Sequence, residues 1–146
     1  MDDWRILTRS PGYNRPMAPR GRVLVVDDDL VVGETFSRML AVAGYDTSVA
    51  TSAADGLAHA RRDAPDAVIV DFRMPGSTGL GFLTSLRGDA ALRDLPVAVV
   101  TGDRFLNERT LAELQALGAA VCYKPLVLGD LVRLMRDLMG RSGDGA

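Results

Sequence analysis

The sequence predicts an α/β fold, a doubly wound five-stranded parallel sheet flanked by five helices. Three observations carry this. Short apolar runs recur five times, from RVLVV at 22–26 to AAVCY at 119–123. Stretches of helical period separate them, with short connections that leave room only for βα crossovers. Most runs also end in a polar residue of particular chemistry, as strands do when their carboxyl ends line a site.

The elements follow in order. Arg22–Val26 (RVLVV) is a short apolar run, the pattern of a strand buried on both faces, and it breaks into Asp27-Asp28-Asp29. Leu30, Val31, Phe36, Met39, Leu40 and Val42 then repeat with helical spacing until Gly44 stops them. Tyr45–Ala50 alternates as a second strand, and 53–62 (AADGLAHARR) is a helix with Leu57, Ala58 and Ala60 inward. Ala67–Val70 is the third strand, ending in Asp71. A Met-Pro-Gly loop leads to a helix over about 79–88. Pro96–Val100 is the fourth strand, ending in Thr101-Gly102, and 106–117 is a fourth helix closed by Gly118. Ala119–Tyr123 is the fifth strand, ending at Lys124-Pro125, and Val127–Met139 is the last helix. Residues 1–21 carry three prolines, four Arg against two Asp and little periodicity, so they read as a solvated arm in which Trp4 is the one candidate anchor. Residues 22–140 form the domain, and 141–146 (RSGDGA) a polar tail.

Composition narrows the function. A chain of 146 residues suits one domain, and 47% hydrophobic with 25% charged residues is ordinary globular usage. One cysteine, Cys122, permits no internal disulfide and fits a reducing, cytoplasmic setting. One histidine, His59, excludes His-rich metal centres, and no apolar run approaches the roughly 18 residues of a membrane span. A net charge of −2 gives no reason to expect nucleic-acid binding. The basic residues are 16 arginines and a single lysine, Lys124. Such usage is most simply coding bias, unless the one lysine marks a place where arginine fails.

The strand ends answer that. Asp27 and Asp28, Asp71, Thr101 and Lys124 all fall on one edge of a parallel sheet, and only the second strand, ending at Ala50, contributes nothing, which suits an outer strand. Crowded carboxylates repel and call for a cation, and an oxygen-only donor set suits Mg2+, with Mn2+ able to substitute. Cation, ammonium and hydroxyl together make a receptor for phosphoryl oxygens. Asp71, at the end of the most apolar strand and followed by a Pro/Gly loop, is the candidate nucleophile, and Asp27 and Asp28 the candidate metal ligands. Simpler roles cover the neighbours. Asp29 reads as a helix cap, Cys122 as a small core residue, His59 as part of a solvated helix face, and Met39, Met135 and Met139 as helix-contact residues.

VLVVDDD, VIVDFRMPGSTG, VAVVTG and YKP, in this order and spacing, resemble the receiver domain of two-component response regulators, of the chemotaxis-regulator type, over about 22–140. The resemblance implies a flavodoxin-like fold. It implies a phosphoacceptor at Asp71, served by a histidine kinase or histidine phosphotransfer protein, and a downstream protein target. Mg2+ would be held by Asp28, Asp71 and the main-chain carbonyl of Arg73, with Asp27 helping through water. Thr101 and Lys124 would contact the phosphate, and Lys124-Pro125 would be cis. The face of the fourth helix, fifth strand and fifth helix is the expected output and dimerisation surface. The chain departs from the family at Val121, where an aromatic is usual; Tyr123, two residues on and on the same strand face, is the nearest substitute. Arg73 and Asp103, each two residues past a site residue, are expected to pair or gate attacking water and so tune the phosphoryl lifetime. Two alternatives remain: a receiver cut from a larger regulator with a DNA-binding or enzymatic output domain, and an aspartyl-phosphate hydrolase of the haloacid dehalogenase type. The latter has its nucleophile in a D-x-D motif after the first strand, and Asp27-Asp28-Asp29 does place an Asp at both ends.

Overall fold

The computed structural model describes residues 19–74, 76–103 and 106–144, so the expectations for the arm before residue 19, Trp4 included, lie outside the described residues. The elements are β1 (Arg22–Val26), α1 (Leu30–Val42), β2 (Asp46–Ala50), α2 (Ala53–Asp63), β3 (Ala67–Asp71), β4 (Arg73–Met74), β5 (Ser77–Thr78), α3 (Gly79–Arg87), β6 (Val97–Thr101), α4 (Glu108–Ala116), β7 (Ala120–Tyr123) and α5 (Leu128–Asp144). The main sheet runs β2-β1-β3-β6-β7 with every pairing parallel, so β2 is an outer strand as expected.

Alternation of side chains along the strands makes two cores. Leu24, Val26, Val68, Val70, Val97 and Val99 face Ala60 of α2, Phe82 and Leu86 of α3 and Leu114 of α4. Val23, Val25, Ile69, Ala98 and Val100 face Phe36 and Leu40 of α1 and Leu131, Met135 and Leu138 of α5. Strands covered on both faces have no polar side, which is why β1, β3 and β6 are apolar apart from Arg22, Asp71 and Thr101 at their ends. Helix starts are set by side-chain caps. Asp29 accepts from the Val31 and Val32 amides at 3.0 and 3.3 Å, and Ser52, Thr78 and Asn107 cap α2, α3 and α4.

Five features differ from expectation. Ala58, read as facing inward on its helix, is exposed. The Met-Pro-Gly loop holds a short antiparallel ribbon, Arg73 pairing with Thr78 and Met74 with Ser77. The last helix continues past Met139 to Asp144, because each added residue extends an existing helix at the gain of a hydrogen bond and nothing in Gly140–Asp144 blocks it. The arm's final residues already belong to the fold. The Arg20 amide donates to Gly44 O at 2.8 Å, and Gly21 O accepts from the Asp46 amide at 2.9 Å. Gly21 also lies against α5, where a Cβ would come within 3.1 Å of Met139 Cε. His59 is half-buried, not fully solvated. Its side chain is 19% exposed, with Asp55 and Asp63 carboxylate oxygens 3.7 and 3.8 Å from its two ring nitrogens, one turn to either side.

At the amino edge of the sheet, half-buried Arg87 ties two connections together. Its Nε donates to Leu117 O at 2.7 Å, and its Nη1 to Arg93 O at 2.9 Å and Leu95 O at 2.7 Å.

Candidate functional site

Four adjacent strands deliver the site. Asp27 and Asp28 follow β1, Asp71 ends β3, Thr101 ends β6 and Lys124 follows β7, and these strands are consecutive in the sheet. The sequence-predicted side chains therefore meet at one edge. One carboxylate oxygen from each of Asp27, Asp28 and Asp71 lies within 4.8 Å of the others. Lys124 Nζ is 3.0 Å from Asp71 Oδ1 and 3.5 Å from Asp27 Oδ2.

The three aspartates of β1's exit have separate tasks. Asp27 is 3% exposed and fixed from two sides: its amide donates to Ala50 O at 3.0 Å and its Oδ1 accepts the Asp29 amide at 2.9 Å. Asp28 is exposed, and Asp29 caps α1. Burial raises the Asp27 carboxyl above its ordinary value, and the charges of Asp71 and Asp28 add to this against the Asp29 amide and Lys124. Burial pulls the Lys124 ammonium down, but the Asp71 hydrogen bond with the charges of Asp71 and Asp27 outweighs it, so the group sits above its ordinary value. A concentration of negative charge with one ammonium and only hard oxygen donors is what a divalent cation such as Mg2+ relieves, so the donor set fits that ion.

Thr101 is 1% exposed, and its Oγ1 accepts the Asp103 amide at 3.0 Å. Its carbonyl accepts the Lys124 amide at 2.8 Å, which ties the ends of β6 and β7 together. The expected pairing of Arg73 with Asp103 is present, Nη2 to Oδ2 at 2.8 Å, with the Arg73 guanidinium 5.8 Å from the Phe72 ring centre. The Lys124–Pro125 peptide is cis, as the resemblance implied. Val121 packs into the core on the α2–α4 side of the sheet, and half-buried Tyr123 stands opposite Thr101 in the β6–β7 register.

Two contributors escaped the sequence reading. Gly79 approaches the site from behind, its amide donating to Phe72 O at 2.7 Å, and a Cβ there would lie 3.0 Å from Phe72 Cα and 3.1 Å from Asp71 O. The stretch VIVDFRMPGSTG ends in this glycine but gave no sign of its contact. The Asp103 amide on Thr101 is a backbone contact that no side-chain pattern encodes. No helix among the described residues is long and apolar enough to cross a membrane.

Comparison with known proteins agrees with this geometry. The response regulator receiver domain family matches residues 23–136. The chain is 36% identical over 125 residues to the transcriptional regulatory protein PrrA of Mycobacterium bovis, covering 86% of this chain and 52% of that protein. It is 37% identical over 121 residues to the response regulator MprA of Mycobacterium tuberculosis, covering 83% of this chain and 51% of that protein. It thus spans about half the length of these relatives. Among solved structures, the chemotaxis protein CheY4 of Vibrio cholerae superposes with a TM-score of 0.74 at 27% identity, covering 80% of this chain and 97% of that one. An acidic edge, a strand-end threonine and a lysine beside the central aspartate thus accompany a match across nearly the whole fold, and the chain belongs to the response regulator receiver domain family of two-component signalling.

Proposed function

We propose that this receiver accepts a phosphoryl group on Asp71 from the phosphohistidine of a histidine kinase or phosphotransfer protein. The observation that carries the reading is the Lys124 ammonium 3.0 Å from an oxygen of Asp71, a residue that also belongs to the three-carboxylate cluster. Asp27, Asp28 and Asp71, with the main-chain carbonyl of Arg73, would hold Mg2+. When bound, that ion offsets carboxylate repulsion and draws charge from the phosphoryl oxygens.

An Asp71 oxygen attacks phosphorus, the histidine N–P bond breaks, and the imidazole departs with the bonding electron pair. Lys124 neutralises the incoming group from one side. The Thr101 hydroxyl, accepting from the Asp103 amide, has its own proton to donate to a phosphoryl oxygen. Reversal by hydrolysis adds water to phosphorus, breaks the Asp71 O–P bond and returns the carboxylate with inorganic phosphate. The chain catalyses only these two steps on itself. Movement of Thr101 toward the phosphoryl group draws in the loop after β6 and shifts an existing equilibrium at the α4–β7–α5 face, where a downstream protein or a second copy binds. The setting is cytoplasmic, and the domain itself contacts no nucleic acid.

Labelling with acetyl phosphate and Mg2+, comparing wild type with Asp71→Asn, tests this. Label should be lost in the variant, and full labelling of Asp71→Asn overturns the assignment. A second reading, a receiver belonging to a longer regulator, is favoured by relatives about twice as long as the matched region. A reading frame continuing past Ala146 into an output domain would establish it.

A further inference from the structure

We propose that Arg73 changes partners on phosphorylation, its guanidinium leaving Asp103 for an oxygen of the phosphoryl group on Asp71, so that Asp103 is a built-in competitor for the site. The inference rests on Asp71 being the phosphoacceptor.

Arg73 stands two residues past Asp71, and Asp103 two residues past Thr101. Their strands are neighbours, Asp71 lying opposite Val100 in the β3–β6 register. The ion pair therefore bridges the rim of the site between the acceptor and the hydroxyl. A contact at 2.8 Å holds it among the described residues, the Arg73 side chain is 70% exposed, and its guanidinium lies 5.8 Å from the Phe72 ring centre. Such a side chain is free to swing. Lys124 is already divided between Asp71 and Asp27, so it meets a new dianion with its charge partly committed. The phosphoryl group presents several acceptor oxygens that match a guanidinium fork, whereas Asp103 engages a single nitrogen of it in the resting state.

Competition fixes the sign of each substitution. An anion at Asp71 binds Arg73 only in the fraction of molecules where Asp103 has released it, and its apparent affinity falls by that fraction. Exposed ion pairs of this kind alter an equilibrium by roughly two- to fivefold. Asp103→Asn, which keeps the backbone amide on Thr101, should tighten anion binding by about that factor. Arg73→Gln should weaken it. In the Arg73→Gln background, Asp103→Asn should have little effect, because its influence runs through Arg73.

The test is calorimetric titration of the full chain with fluoroberyllate in the presence of Mg2+, using wild type, Arg73→Gln, Asp103→Asn and the double variant, with Asp71→Asn as reference. Opposite shifts in the single variants and loss of the Asp103→Asn gain in the double variant support partner exchange. Shifts of the same sign overturn it, as does an unaltered or weakened affinity for Asp103→Asn. An equal gain from Asp103→Asn with and without Arg73 also overturns it, since this is the result of general charge repulsion. Failure of the wild type to bind, or equal binding by Asp71→Asn, removes the phosphoacceptor reading itself, a separate outcome.

Discussion

Replacing Gly79 with alanine should loosen the fold and the site together. The new methyl would lie 3.0 Å from Phe72 Cα, 3.1 Å from Asp71 O and 3.4 Å from Val99 Cγ1. Ordinary carbon contacts begin near 3.5 Å, so the methyl must displace its neighbours by a few tenths of an ångström. The two nearest atoms are backbone, and the Gly79 amide bond to Phe72 O at 2.7 Å holds them in place. Overpacking of this kind costs about 1–3 kcal/mol, and the helical preference of Ala over Gly returns at most about 1 kcal/mol. With the full helical gain subtracted, a net loss of up to about 2 kcal/mol follows. Because Asp71 O is one of the pushed atoms, the carboxylate should also move relative to Lys124. Urea denaturation gives the stability, and the rate of labelling by acetyl phosphate reports the displacement. Gly140→Ala is the control: it lies in α5 with no atom near its added methyl, and should stabilise by up to about 1 kcal/mol. A Gly79→Ala protein as stable and as readily labelled as wild type would refute the argument that this close approach positions Asp71.

Other substitutions test the charges. Lys124→Arg preserves charge but places a broad fork between two carboxylates spaced for a compact ammonium, and should reduce phosphorylation; normal signalling would make the lone lysine a compositional leftover. Mg2+ should raise the thermal midpoint because it binds the folded cluster and not the unfolded chain, and Asp28→Asn should shrink that rise, both read by differential scanning calorimetry. Burial, then the charges of Asp130 and Asp137, pushes the Cys122 thiol above its ordinary value of 9.0. The folded chain therefore keeps this proton longer than the unfolded chain does. Alkylation by iodoacetamide near pH 8 should be slower in the native protein than in urea, and the thiol's stabilising contribution, complete below the unfolded value, should fade as pH rises through the folded one.

The sheet and the polar strand ends were legible because burial on both faces leaves an uninterrupted apolar code and a parallel sheet gathers its carboxyl ends without further information. Asp27, Asp28, Asp71, Thr101 and Lys124 came together for that reason. Contacts made by backbone atoms were not legible. Arg87 gathers three carbonyls from distant connections, and any residue type offers a carbonyl. The Arg73–Met74 ribbon is two residues long, too short for any periodicity to mark it. His59 sits one turn from both Asp55 and Asp63, but spacing alone does not separate a solvated charge row from a half-buried one. The end of α5 was misplaced because its final turns bear no apolar stripe to read.

The contact between Gly21 and Met139 has a consequence for how such a domain can be wired to others. β1 begins and α5 approaches its end at the same side of the molecule, while Asp71 lies across the full length of the strands from both. Sequence attached at either lead would emerge beside the other, remote from the acidic rim. Such an arrangement lets the unit be spliced between flanking modules as a cassette, with any signal to them carried through the switching face and not by direct contact with the acidic rim.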